Sequence, residues 1–397
     1  MFSTDIAYLS HENKIIYKRY PISMKHSVLI GLCLLLLLVT GCNKKENTIT
    51  EFTQLPVYQL TGHTVSLDSI FLRYAYRIRV NDSIAVLLDL HAPQYYCHAF
   101  TYPDFEYIAS FAPLGEGPEE IVSGSEIRFL KNGHFGVLDS NGRKLIVYTN
   151  LGRGLTPCPE QIIRMDESLM MPLDFIPLTD STFLIPNYLG QSRFCIADTC
   201  GRLIKRQASI PIADTTLLKT SAPAVAQAWR SFLAITPDKK TLVTVTQLGD
   251  VLDGYATNNL SVTAFHHLGS VGEPMFRVST EGYGIPTGFM GYLDVQTSDS
   301  CIYALYDGTS FADLMKQNPS SLKQGGTTLH VFDRTTGQPL YSYMLDRRIS
   351  CIHIDFKRYI LWATDVNKDE QLVRFELPEI QSALNSSFSR TQATLSK

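Results

Sequence analysis

The chain of 397 residues contains no Cys-x-x-Cys pair, no His-Glu-x-x-His, no Gly-x-Ser-x-Gly and no EF-hand loop. Their absence removes a zinc site of the usual spacing, the zincin motif, the nucleophile elbow and the standard calcium loop. We therefore assign no catalytic residue, no metal ligand and no cofactor. Charge of one sign is also lacking: 35 Lys and Arg face 38 Asp and Glu, a net of −3. That balance gives no electrostatic case for a nucleic-acid partner. Helix signals are sparse, with only Phe311–Gln317 and Ala222–Ser231 reading as short helices. The one extended apolar run, Ser27 to Gly41, is shorter than the roughly 20 residues a membrane span requires.

That run has the form of a processed signal, with Met24-Lys25-His26 as its positive start and small residues at its end. Val39-Thr40-Gly41-Cys42 resembles the lipobox of bacterial lipoproteins. The resemblance implies cleavage between Gly41 and Cys42, and diacylglycerol with palmitate-type chains on the Cys42 sulfur. At about 0.8 kcal/mol per buried CH₂, two or three acyl chains hold a protein at a bilayer without a spanning helix. Residues 1–23 read as an extension upstream of the true start at Met24, 24–41 as signal peptide, and 42–50 as a polar tether. The residue after Cys42 is Asn, not Asp, which resembles lipoproteins sent to the outer membrane. Periplasmic and cell-surface faces both stay open.

Twenty Tyr and twenty Phe against two Trp favour β-structure, because aromatic side chains suit a pleated, half-buried surface. Beyond the signal and Cys42, six cysteines remain: Cys97, Cys158, Cys195, Cys200, Cys301 and Cys351. An oxidising envelope permits disulfides. Cys195 and Cys200 in FCIADTCG could bridge a strand and its following turn; the others read as core thiols.

From residue 78 onward, short strands with period-2 alternation are punctuated by turn residues every 8–12 positions. Similar units begin near Ile78, Ile127, Leu173, Phe232, Tyr292 and Cys351, spaced 46 to 60 residues apart. Each unit reads as a four-stranded meander, and six around an axis make an all-β, six-bladed β-propeller over 51–379 with four-stranded blades. The last unit supplies three strands before Pro378, so its outer strand is expected from Glu51–Leu60. Closure of this kind removes open sheet edges. A polar tail, 380–397, follows.

Three stretches carry a family resemblance: LGEGPEE (114–120), GYLDVQTSDSCIYALYDGTS (291–310) and LHVFDRTTGQPLYSYMLDRRISCIHID (329–355). Together they resemble the TolB-like six-bladed propeller lipoproteins of Bacteroidetes. The resemblance implies a fold and an envelope address, but no reaction and no catalytic residues.

Candidate sites each have a structural alternative. Gly115–Pro118 reads as an inter-blade turn, since Pro118 lacks an N–H and no Lys-Ser/Thr follows to cradle phosphate. His266 and His267 are neighbours on a strand and face opposite ways, so they cannot easily share one metal. Tyr95, Tyr96, His98 and Tyr102 form an aromatic cluster suited to stacking or to sheet packing. Arg77 and Arg79 share a strand face that reads as solvated, with an anion-binding edge as the alternative. Asp89, Asp174, Asp294 and Asp355 fall near inner or second strands, and their spacing does not force them together. The Gly-rich segment Glu281–Gly291 offers Tyr283 and Phe289 as ligand contacts at the channel mouth; an ordinary crossover is the alternative.

The functional expectation is a non-catalytic, outer-membrane-anchored binding protein whose partners are its lipid anchor and an unknown ligand or envelope protein. A hydrolase or lyase with residues gathered at the channel mouth, and a structural part of an envelope complex, are the alternatives.

Overall fold

The computed structural model describes residues 5–9, 15–19, 52–68, 70–149, 157–169, 171–318 and 322–378. It divides into two units, Met1–Thr48 and Ile49–Lys397. In the first, β1 (Asp5–Leu9) pairs antiparallel with β2 (Ile15–Arg19), Asp5 opposite Arg19.

The second unit is a six-bladed propeller. It begins with β3 (Val57–Leu60) and β4 (Gly62–Val65). Blade 1 follows as β5 (Ala75–Val80), β6 (Ile84–Asp89), β7 (Tyr95–Thr101) and β8 (Tyr107–Pro113). Blade 2 is β9 (Gly124–Phe129), β10 (Phe135–Asp139), β11 (Lys144–Tyr148) and β12 (Pro159–Arg164). Blade 3 is β13 (Ile176–Thr179), β14 (Thr182–Pro186), β15 (Phe194–Asp198) and β16 (Leu203–Gln207). Two short helices, α1 (Leu217–Thr220) and α2 (Ala222–Ala228), lead into blade 4. That blade is β17 (Ser231–Ile235), β18 (Thr241–Thr246), β19 (Val251–Ala256) and β20 (Thr263–Leu268).

A separate hairpin, β21 (Met275–Val278) with β22 (Gly284–Thr287), precedes blade 5. Blade 5 comprises β23 (Tyr292–Thr297), β24 (Cys301–Tyr306), β25 (Gly326–Asp333) and β26 (Pro339–Ile349), with helix α3 (Phe311–Lys316) between its second and third strands. Blade 6 has β27 (Ile352–Asp355), β28 (Ile360–Thr364) and β29 (Leu372–Glu376).

The closing strand differs from the expected one. Residues 57–60 do not complete blade 6; β3 runs parallel to β26 as a fifth strand on blade 5, with Val57 opposite Ser342. The outer strand of blade 6 is β4, antiparallel to β29, with Val65 opposite Leu372. The N-terminal segment thus serves two neighbouring blades in succession. Gly62 allows the second contact, since a Cβ there would lie 2.7 Å from the Phe375 ring and 2.8 Å from Val373 Cγ1.

Alternation turns each sheet's two faces toward its neighbours, and the buried apolar side chains form one core per blade interface. Ile127, Phe135 and Tyr148 of blade 2 meet Val86 and Phe111 of blade 1, for example. Ile354, Leu361 and Phe375 of blade 6 meet Leu329, Val331 and Tyr343 of blade 5. A seventh cluster, with Val225, Trp229 and Ile212, seats the two short helices.

Antiparallel meanders return the chain to alternate ends, so the links between blades and those between second and third strands emerge on one face. That face carries the helices α1, α2 and α3 and the β21–β22 hairpin. The opposite face carries hairpin turns. The elaborated face is the one at which the inner strands begin.

Candidate functional site

The innermost strands converge on the axis, and their polar faces meet one another there. Arg77 and Arg79 of β5 both pair with Glu126 of β9, at 3.3 and 2.9 Å. Arg79 also reaches Asp294 of β23 at 3.2 Å. Arg128 grips Asp174 in a bidentate fork, with Nε and Nη2 each donating over 2.9 Å, and Nη2 donates to the Leu233 carbonyl. Asp174 accepts from the amide N–H of Phe175, and Asp294 from those of Val295 and Ile352. The two polar clusters share strand β9, which carries both Glu126 and Arg128, and between them they join all six blades at the axis.

The solvated-face reading of Arg77 and Arg79 is corrected: Arg77 is 1 % exposed, and Glu126, Asp174 and Asp294 are buried with it. The physical reason is convergence. The face that alternation makes polar meets acids from other blades instead of water. Burial raises the Asp294 carboxyl, but Arg79 and Arg77 more than offset it and hold the group below its ordinary value. Burial pushes Asp174 up, to about 6, against the pull of Arg128. Burial lowers the two arginines, but the phenol and carboxylates around them raise both on balance: Tyr76, Asp294 and Glu126 at Arg77, Asp294 and Glu126 at Arg79.

Above this network lies a pocket of about 430 Å³ at the mouth of the axis. Tyr74, Tyr76 and Phe232 form its aromatic wall, and Met290, Leu293 and Leu314 add apolar surface. Arg77 lies beneath, its guanidinium 3.8 Å from the Tyr76 ring centroid and 4.6 Å from that of Phe232. The polar side is made by Asp307, Thr309, Lys323, Arg348 and Ser350. Arg348 donates to the Gly325 carbonyl and makes longer contacts with Asp307 Oδ1 at 3.4 Å and Thr309 Oγ1 at 3.3 Å. The Ser350 hydroxyl is buried in this wall with no hydrogen-bond partner. A smaller cavity of about 200 Å³ on the same face shares Tyr76 and Phe232. The site can hold a small amphipathic molecule, apolar against the tyrosines and polar toward Arg348.

The residues singled out from sequence fall in several places. Tyr283 sits at the tip of the β21–β22 hairpin, 55 % exposed, and Phe289 follows the hairpin, bridging to Ser310. Both are on the pocket's face, but neither lines it; their neighbour Met290 does. Asp174 and Asp294 belong to the axis network. Asp89 caps the incoming chain of blade 1, accepting from the amides of Arg73 and Tyr74 at 2.7 and 2.8 Å. Asp355 holds the turn after β27 and accepts from the Tyr102 hydroxyl at 2.6 Å. Tyr96 and Tyr102 are buried packing residues. His267 is buried and His266 exposed, as strand alternation requires. Gly115–Pro118 is a turn between blades 1 and 2, with Glu120 accepting from the Gly117 amide.

Cys195 and Cys200, for which a bridge was one possibility, are not disulfide-bonded to each other. Cys195 points into the core between blades 2 and 3, while Cys200 sits on the exposed turn beyond the strand. Burial pushes the Cys195 thiol up to about 11. Cys42 lies outside the described residues. Among the described residues, no helix is long and apolar enough to cross a membrane, and no three His, Cys, Asp or Glu side chains are grouped to hold a metal ion.

Sequence reading missed Tyr74, Tyr76, Phe232, Arg348 and Ser350. One signal was available: the link between β24 and β25 spans 307–325, far longer than its equivalents in other blades, and supplies much of the pocket wall.

The family described as TolB-like 6-blade propeller-like matches residues 56–357. Among solved structures, the chain is similar to a candidate exported protein of Bacteroides fragilis, with 11 % identity and a TM-score of 0.51 over 80 % of this chain and 98 % of that one. It is also similar to a member of the duf4221 family from Bacteroides vulgatus, with 10 % identity and a TM-score of 0.48 over 81 % and 97 % of the two chains. A third likeness is to virginiamycin B lyase from Staphylococcus aureus, at 11 % identity and a TM-score of 0.44, covering 80 % of this chain and 100 % of that one. No curated protein matches.

Proposed function

The chain belongs to the TolB-like family of six-bladed propellers, and on that footing we propose that it is a lipid-anchored envelope protein whose channel mouth binds a ligand without transforming it. The observation that carries this reading is the pocket of about 430 Å³ with an aromatic wall and a polar wall, set on the face that bears the fold's helices and extra hairpin. Binding sites are disproportionately built on loops held by a rigid scaffold. Here the axis network fixes the floor while the 307–325 link and the entries to the inner strands form the walls. Tyr283 and Phe289, on the same face, extend the contact surface toward a larger ligand or an envelope partner. The lipobox-like end of the signal, with acylation at Cys42, supports the anchored address at the outer membrane.

The test is to purify the protein from its native envelope and identify small molecules released on denaturation. A Leu314→Trp variant, which narrows the pocket from a half-buried helical position, is the comparison. A molecule retained by the wild type and lost from a variant of unchanged melting temperature supports the reading. Equal retention by both proteins places the binding elsewhere and overturns it.

A further inference from the structure

Resting on the channel-mouth reading, we infer that the pocket takes a small monocarboxylate carrying a flat, apolar body. Its two walls differ in kind. Tyr74, Tyr76, Phe232 and Leu293 present rings and methyls, surfaces that gain from covering an apolar group. The opposite wall presents donors. The Ser350 hydroxyl is buried and unpartnered, although buried polar groups in folded proteins are nearly always paired. Arg348 beside it is 30 % exposed, and its contacts to Asp307 and Thr309 are long for N–H···O bonds. Nη1 of Arg348 is anchored by the Gly325 carbonyl, and the loosely held Nη2 and the Ser350 hydroxyl can tighten onto an incoming carboxylate, a charge-assisted contact.

Charge sets the valence. Among the residues lining this pocket, Arg348 and Lys323 face Asp307, one positive charge in excess. The acids of the adjacent groove, Asp346, Asp365, Asp369 and Glu370, lie outside the pocket's lining. Arg77 below contributes nothing to that excess, because Glu126 and Asp294 already balance Arg77 and Arg79. One carboxylate neutralises the wall. A neutral ligand leaves it unmatched, and a second negative charge would meet Asp307.

The probe pair is phenylacetate and phenylacetamide, equal in shape and different in charge, titrated into the detergent-solubilised full-length protein by ligand-observed NMR. The acid is expected to bind about tenfold more tightly, a difference of about 1.4 kcal/mol. Arg348→Gln is expected to abolish that preference while the amide's binding stays unchanged. Ser350→Ala removes no existing hydrogen bond and keeps the test intact should the arginine variant unfold; it is expected to weaken the acid about threefold or more and leave the amide alone. Equal affinity for acid and amide overturns the carboxylate assignment and leaves the pocket reading standing. Binding of neither probe overturns both.

Discussion

Arg79 on the innermost strand of blade 1 and Asp294 on that of blade 5 are 215 residues apart in the chain, and their side chains meet at 3.2 Å at the propeller axis. Asp294 also accepts from the amide of Ile352 in blade 6, so one carboxylate ties three blades.

Removing that charge leaves the half-buried Arg79 with an incomplete set of partners, beside the fully buried Arg77. Breaking one partner of a buried pair costs about 3–5 kcal/mol. Asp294→Asn, which keeps the shape, is expected to lower the unfolding free energy read from urea denaturation by an amount in that range. An unfolding free energy within about 0.5 kcal/mol of wild type would show that the axis network does not hold the ring.

Acidification from about pH 7 to pH 5 is expected to destabilise the propeller through its buried histidines. Burial lowers His267 and His353 to about 4 and His330 to about 3, from an ordinary 6.5. The folded state therefore binds fewer protons than the unfolded chain between those values. The stability these groups contribute is present above 6.5 and is lost as pH falls toward 4. His266 runs the other way: its hydrogen bond to Asp253 raises it, so its contribution is lost as pH rises through its folded value. His98 is lowered by burial as well, while the raised carboxyls of Asp174 and Asp250 act with His266 in the opposite sense. The lowered histidines, at about 1–2 kcal/mol each for the three deepest shifts between about pH 7 and pH 5, leave a net loss on acidification. Denaturant unfolding at the two pH values reads it directly, and equal midpoints would refute it.

Ring closure depends on Gly62. A Cβ there would sit within 2.8 Å of both Phe375 and Val373, and overpacking of this kind costs about 1–3 kcal/mol. Gly62→Ala is expected to fall in that range. Val57→Ala, on the exposed fifth strand of blade 5, should stay within about 0.5 kcal/mol. Equal losses in the two variants would mean that β4 is no more important to closure than β3.

Cys42→Ser is expected to leave the protein unlabelled by radioactive palmitate and released from the membrane fraction. Continued labelling would move the acylation site elsewhere.

Much of the fold was legible because period-2 alternation and turn residues recur in every unit, marking six starting points, and the resemblance of 114–120, 291–310 and 329–355 to a propeller family added weight to the blade count. The closing strand was misplaced for a specific reason. Val57–Leu60 and Gly62–Val65 are two short strands separated by Thr61, and alternation does not tell which edge each will meet. The axis network was hidden because Arg77 and Arg79 on alternate positions have the same pattern whether they face water or the acids of other blades. The pocket was less legible still. Its walls come from Tyr74, Phe232, Asp307 and Ser350, residues brought together by ring closure and by nothing local. Only the long link after Tyr306 marked its position.

The double use of the N-terminal segment has a mechanical consequence. Tension entering the propeller ahead of Phe52 runs along β3 and then β4, so it meets two short ladders in series, blade 5 first and blade 6 second. The segment that enters the propeller is thus also the clasp of the ring, with the ladder on blade 5 standing ahead of the seam on blade 6.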